Sequence, residues 1–237
     1  ASRLTPAVVV RVGEPPASKV VNQWVARTGA TIVAITPSGR RIDPEGVVSA
    51  HLTCNVADLV NALQDVRSTN DFFAAWWDAE MTARSAIGQV LEAESRITEP
   101  WIAREVASRL DEDDVLVLSS SMPVRDVEWF AERCPRVVYS NRGVNGIDGV
   151  MSTGIGIALG SRRDVTVLIG DVAFLHDSNA LINLISRKVN VRIVVVDNRG
   201  GGIFSFLDQA QALDREPFER FYGTPHESNL QALAQAH

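Results

Sequence analysis

Val165-Thr166-Val167-Leu168-Ile169-Gly170-Asp171-Val172 is an apolar run that closes on a glycine and a carboxylate. Val191-Arg192-Ile193-Val194-Val195-Val196-Asp197-Asn198-Arg199-Gly200 is a second such run, with twenty-four residues between Val172 and Asp197. Apolar stretches of this length point to strands buried on both faces of a parallel sheet. Open α/β sheets bind ligands beyond the carboxyl ends of their strands. Asp171 and Asn198 therefore stand where a ligand is expected. Taken singly, each has a plainer use: an acid after a strand caps a helix, and Asn close to glycine is a routine turn residue. Together they place a carboxylate and an amide at two strand tips joined by one helix, and the Gly200 carbonyl offers a third oxygen. Mg²⁺ takes oxygen ligands in a near-octahedral array and is usually completed by phosphates and water. A helix N-terminus after Asp171 would favour such phosphates. The pair reads as a socket for a metal-bound diphosphate.

The same architecture extends outward from these runs. Asp114–Ser119 and Arg136–Ser140 read as two more strands, with a helix over Val124–Glu132 between them. Asn141–Gly149 is a glycine-rich loop, and Val150–Leu159 a helix whose Gly154 and Gly156 allow close approach to a sheet. Ser178–Ser186 reads as a helix, and Ile203–Leu207 begins another. Towards the start, Val8–Val12 and Thr31–Ile35 are strands flanking a helix at Lys19–Arg27; His51–Cys54 is a weaker third strand, and Val56–Val66 a helix. The fold class is α/β: three-layer parallel sheets with helices on both faces, preceded by part of a second α/β domain. We assign residues 1–67 to that partial Rossmann-like domain, 68–97 to a helical linker carrying Trp76 and Trp77, and 98–237 to the diphosphate-binding domain. Thr98-Glu99-Pro100 supplies the N-cap and first-turn proline of the helix that follows.

Composition narrows the function classes. The chain of 237 residues is 46% apolar and 22% charged, as in a globular protein with a sizeable core. Its net charge of −6 and lack of a basic tract argue against nucleic-acid binding. Cys54 and Cys134 form no CxxC pair, which excludes the common zinc and redox motifs. No apolar run reaches the roughly 18 residues of a membrane span, and the start lacks a signal-peptide core. A cytoplasmic protein is expected. The first residue is Ala and a strand begins near Ala7, so the expectation is a chain cut from something longer. Neither a GxGxxG fingerprint nor a P-loop occurs.

Gly-Asp, a spacer near twenty-five residues, and Asn resembles the thiamine-diphosphate signature. The match continues through Ser119-Ser120-Ser121-Met122-Pro123-Val124-Arg125-Asp126, Asn141-Arg142-Gly143-Val144-Asn145-Gly146-Ile147-Asp148-Gly149, Phe174-Leu175-His176-Asp177 and Gly201-Gly202-Ile203-Phe204. Together these resemble the SEPHCHC synthase (MenD) family of menaquinone biosynthesis, strongly over residues 98–226 and weakly over 1–67. The resemblance implies thiamine diphosphate with Mg²⁺ (or Mn²⁺), the metal being held by Asp171, Asn198 and the Gly200 carbonyl. Gly170 and Val172 would flank the cofactor, and Ile147 would support its two rings. Ser121, Arg125 and Arg142 would bind substrate carboxylates, with Ile203, Phe204 and Leu207 as an apolar wall and Lys19 as a further candidate. The implied substrates are 2-oxoglutarate, which is decarboxylated, and isochorismate, which receives the succinyl carbanion equivalent. Both carry two carboxylates, for which the guanidinium fork is well matched. The parent enzyme would be a homodimer or homotetramer.

The family pattern is not matched everywhere. Asp197 stands where many thiamine enzymes have a first Asn, and Val20 follows Lys19 where some relatives carry Arg. No residue here corresponds to the activating Glu of the pyrimidine-binding domain, so no catalytic residue is assigned and the chain alone is expected to be inactive. The chain also ends before the sheet is expected to be complete. His176 reads as a helix-start histidine fixed by backbone; His51 and His226 have no visible partner. Two alternatives stay open: another thiamine-diphosphate carboligase or decarboxylase of acetolactate-synthase type, and a non-catalytic α/β binding module.

Overall fold

The computed structural model describes residues 4–64 and 70–237. The chain divides into two compact units, Ala1–Ala93 and Glu94–His237. Among the described residues no helix is long and apolar enough to cross a membrane.

The first unit contains β1 (Val8–Val12), α1 (Lys19–Arg27), β2 (Thr31–Ile35), β3 (Ala50–Leu52), α2 (Val56–Ala62) and α3 (Asn70–Ala93). Its three strands are parallel in the order β1-β2-β3. Ile32, Ala34 and Ile35 of the central strand form its buried centre. Ser18 caps α1 by accepting a hydrogen bond from the Val21 amide at 3.3 Å. The third strand is only three residues long and starts one residue before His51. Helix α2 stops at Ala62 rather than Val66; positions 65 and 66, and the expected domain boundary at 67, lie outside the described residues. Helix α3 falls within the first unit, where Trp76 meets Trp24 of α1 edge-on with ring centroids 5.4 Å apart.

The second unit runs α4 (Glu99–Ser108), β4 (Val115–Leu118), α5 (Met122–Phe130), β5 (Val137–Ser140), α6 (Val150–Ser161), β6 (Val165–Gly170), α7 (Asp171–His176), α8 (Ile182–Ser186) and β7 (Val191–Val196). All four strands are parallel, in the order β5-β4-β6-β7. The chain goes from β4 outward to β5, then crosses back over β4 to β6. The strand order therefore reverses between β4 and β6, and that junction opens a crevice at the carboxyl edge. The two central strands are the most buried, every residue of Val115–Leu118 and Val165–Ile169 being inaccessible. This explains their almost wholly apolar runs, in which Thr166 is the one polar residue. Met151, Ile155 and Ala158 of α6 join the same core, each large aliphatic contributing about 1.5–3 kcal/mol. Gly154 lets α6 sit against β6, because a Cβ there would lie 2.5 Å from Val167 Cγ2.

Two expected helices take a different form. Ser178–Ser186 is a 3-10 turn at Ser178–Leu181 followed by α8. The preceding Asp177 accepts from the Ser152 amide (2.7 Å) and hydroxyl (3.0 Å), tying this corner to the first turn of α6 and interrupting the helix. Residues 202–206 form a 3-10 turn, and Leu207 is already extended.

Candidate active site

The crevice holds a cavity of about 590 Å³. Strand β6 ends at Gly170 and delivers Asp171, Val172 and His176 on α7 to its wall. Strand β7 delivers Asn198 and Gly200 through the turn that follows it. Beyond β4 come Ser119, Ser120, Ser121 and, from α5, Arg125 and Asp126; the loop after β5 adds Arg142 and Ile147. Ile203, Phe204 and Leu207 close one side. Every proposed site residue except Lys19 thus lines one cavity. Lys19 lies exposed at the start of α1 in the first unit.

Asp171 is the buried centre of the site, with only 2% of its surface exposed. Its Oδ1 accepts from the Val172 amide at 2.7 Å, and its Oδ2 from the Gly200 amide at 2.9 Å. His226 Nε2 lies 3.1 Å from the same Oδ2. The Val172 amide is thus taken by Asp171 itself, and α7 is only six residues long. Among the described residues no Lys or Arg pairs with this carboxylate. A buried carboxylate without a permanent cation is costly, and a hard cation would offset that cost. Ligand atoms of Asp171, Asp197 and His226 come within 4.8 Å of one another, so Asp197 also lies close to the expected ligand set. Asn198 Nδ2 donates to Glu99 Oε1 at 2.7 Å, leaving Oδ1 as an acceptor. The donors present fit Mg²⁺.

The turn bearing Asn198 and Gly200 is tightly determined. Gly200 has φ +152°, and a Cβ there would lie 2.2 Å from the Gly223 carbonyl, so only glycine fits. That same carbonyl accepts from the Gly201 amide at 2.7 Å. Phe204 meets Tyr222 edge-on at 5.4 Å, which holds the apolar wall in place.

Ser121 has φ +75°, a conformation non-glycine residues rarely adopt and one associated with ligand sites. Arg125 makes no ion pair with Asp126 or Glu128; its Nη1 donates to the Ser121 carbonyl at 2.6 Å. Burial and the neighbouring Arg142 guanidinium push Arg125 below its ordinary pKa, outweighing Glu128 and Asp126. Two half-buried cations facing one cavity repel each other, and a carboxylate ligand would relieve that repulsion. Asp126 is 2% exposed, with Oδ1 lacking a hydrogen-bond partner among the described residues. Burial, followed by the nearby Glu99 charge, raises its pKa to about 7 against the pull of Arg125.

His176 ends α7 instead of beginning a helix, and it is exposed. Sequence reasoning missed His226, Glu99 and Tyr222. In the sequence Glu99 reads only as part of a cap. The signal available for the other two was weak, a histidine after proline and a run of aromatics at Phe218–Tyr222.

Residues 124–237 match the family model described as thiamine pyrophosphate enzyme, C-terminal TPP binding domain. The chain is 40% identical over 237 residues to the 2-succinyl-5-enolpyruvyl-6-hydroxy-3-cyclohexene-1-carboxylate synthase of Rubrobacter xylanophilus, an alignment covering 97% of this chain and 40% of that protein. It is 37% identical to the synthase of the same name from Myxococcus xanthus, again over 97% of this chain and 40% of that protein. By sequence the chain is similar to part of these SEPHCHC synthases, and its residues 124–237 to a C-terminal TPP-binding domain. It spans about 40% of the length of the curated relatives it matches. The matched domain begins within α5, so it includes Arg125, Arg142, Ile147, Asp171 and Asn198 but not Glu99 or Ser121.

Proposed function

We propose that this chain forms the metal- and diphosphate-binding part of a SEPHCHC synthase that uses thiamine diphosphate to decarboxylate 2-oxoglutarate and transfer the four-carbon unit to isochorismate. The observation that carries the reading is the convergence of Asp171, Asn198 and Gly200 with Arg125, Arg142 and Ile147 on one cavity at the strand-order reversal. Homology to synthases of that name supports it. Bound thiamine diphosphate would supply the electron sink that makes loss of CO₂ feasible.

The chain's own share is binding, orientation and exclusion of water. Asp171, Asn198 and the Gly200 carbonyl would hold Mg²⁺ and, through it, the diphosphate, while Ile147 offers an apolar support for the rings. Arg125 and Arg142 would orient substrate carboxylates, with Ser121 adding a hydroxyl. Ile203, Phe204 and Leu207 would cover apolar substrate surface. Lys19 stays a candidate for substrate binding. A homo-oligomer in the cytoplasm belongs to the same proposal.

Asp171→Ala tests the reading. In the complete protein it is expected to abolish Mg²⁺-dependent thiamine diphosphate binding measured by calorimetry, with the circular dichroism spectrum retained. Unchanged affinity would remove Asp171 from the metal site and take the proposed function with it.

A further inference from the structure

We propose that Glu99 is a positioning residue that sets the orientation of the Asn198 amide, so that its oxygen faces the metal; the inference rests on the proposed metal site. A side-chain amide presents two nearly isosteric ends, one donor and one acceptor. Only the oxygen end can hold a cation, so an amide free to flip would spend part of its time presenting N–H groups to it. In this structure the choice is made by Glu99. Its Oε1 accepts from Asn198 Nδ2 at 2.7 Å, the short range expected for a hydrogen bond to a carboxylate. A carboxylate can only accept, so it selects the nitrogen and turns Oδ1 away from itself.

Two features hold Glu99 in place to do this. It occupies the first turn of α4, whose Thr98 cap accepts from the Trp101 amide at 3.4 Å. A negative side chain is favoured at that end of a helix. Gly202 lies against the same nitrogen end of the amide, where a Cβ would lie 2.6 Å from Asn198 Nδ2 and 3.8 Å from Oδ1. A bare glycine therefore makes room for the nitrogen end. Groups that orient metal ligands from outside the coordination sphere typically matter 10–100-fold for affinity.

The test exchanges donor and acceptor. Mg²⁺ is titrated calorimetrically into the complete protein with saturating thiamine diphosphate, and thermal melts report folding. Glu99→Ala is expected to weaken Mg²⁺ binding by roughly 10–100-fold. Asn198→Asp sets two carboxylates face to face and is expected to weaken it comparably. The double variant Glu99→Gln with Asn198→Asp restores the hydrogen bond with its direction reversed and leaves net charge unchanged. Its affinity is expected to return to within about threefold of wild type. A residue that merely shaped the fold would not show this reciprocity. The inference is overturned if Glu99→Ala binds Mg²⁺ as wild type does, if Asn198→Asp alone loses nothing, or if the double variant is no tighter than Asn198→Asp. Should Glu99→Ala fail to fold, the near-isosteric double variant still decides. Asn198→Ala separates the two levels: wild-type affinity there means that Asn198 is no ligand and the metal site itself is misread.

Discussion

Asp126→Asn should stabilise the protein at neutral and alkaline pH while changing little in acid. The carboxyl is 2% exposed, and its pKa is raised from 3.8 to about 7, first by burial and then by the Glu99 charge. A gap of about three pH units at 1.36 kcal/mol each corresponds to about 4 kcal/mol. Water in the adjoining cavity screens the charge, so we expect about 2–4 kcal/mol. The sign follows from proton counting. The folded state holds this proton more tightly than the unfolded chain. Below pH 3.8 both states carry it, and the contribution is complete. As pH rises from there towards 7, the unfolded chain releases the proton while the folded one retains it, and stability falls. Above pH 7 both are ionised and the contribution is gone. The Asn amide cannot ionise and escapes the loss. Urea denaturation without cofactor at pH 4.5, 6, 7 and 8, followed by circular dichroism, would measure the difference between variant and wild type. That difference should move by about 2–4 kcal/mol in favour of Asn between the extremes. A difference that stays constant with pH, or that turns against Asn at pH 8, would mean that the carboxylate is ionised and satisfied by Arg125, and the burial argument would be wrong.

Two glycine substitutions probe the scaffold. Gly154→Ala places a methyl 2.5 Å from Val167 Cγ2, and overpacking of this kind costs about 1–3 kcal/mol, whereas Gly156→Ala on the same helix meets nothing within 4 Å and should gain up to about 1 kcal/mol from helix propensity; melting temperatures of the two variants should move in opposite directions. Gly200→Ala collides with the Gly223 carbonyl at 2.2 Å. It should displace the turn after β7 and lower calorimetric Mg²⁺ affinity by more than tenfold on the outer-sphere scale, and undiminished affinity would argue against the Gly200 carbonyl as a ligand.

How much of this was readable before the structure depended on what kind of constraint each residue obeys. Strands β4 and β6 are buried at the centre of a parallel sheet, and burial writes itself into the chain as runs of Val, Leu and Ile; β7, read from its run as buried on both faces, is the edge strand and is only half-buried, with Arg192 exposed. Asp171 and Asn198 inherit that legibility because they sit at strand tips, and one crossover makes β6 and β7 neighbours. The glycines of α6 were readable for a similar reason, since a helix lying on a sheet needs small residues where it touches. The helix expected after Asp171 takes no bounds from the sequence, because the six residues of α7 make fewer than two turns, too short for a 3.6-residue pattern to show. The break at Asp177 was missed because its cause is the contact with Ser152, twenty-five residues earlier.

Glu99 and His226 mark where local reasoning stops. They approach Asn198 and Asp171 from ninety-nine and fifty-five residues away, one from the first turn of α4 and one from the segment after the Glu219–Gly223 turn. Neither belongs to a periodic pattern, and each has an ordinary local role that satisfies a reader of the sequence: an acid at a helix start and a histidine after proline. Their meaning arises only when the chain closes around the strand tips. The two proposed ligands are readable from spacing because the sheet fixes their separation. The groups that orient them are not, because any element able to reach the tips could have supplied them. If Glu99 and His226 do set the two proposed ligands, the proposed metal site depends on segments on both sides of the strand pair in the chain, and β6 and β7 alone would present those atoms without holding them in the right attitude.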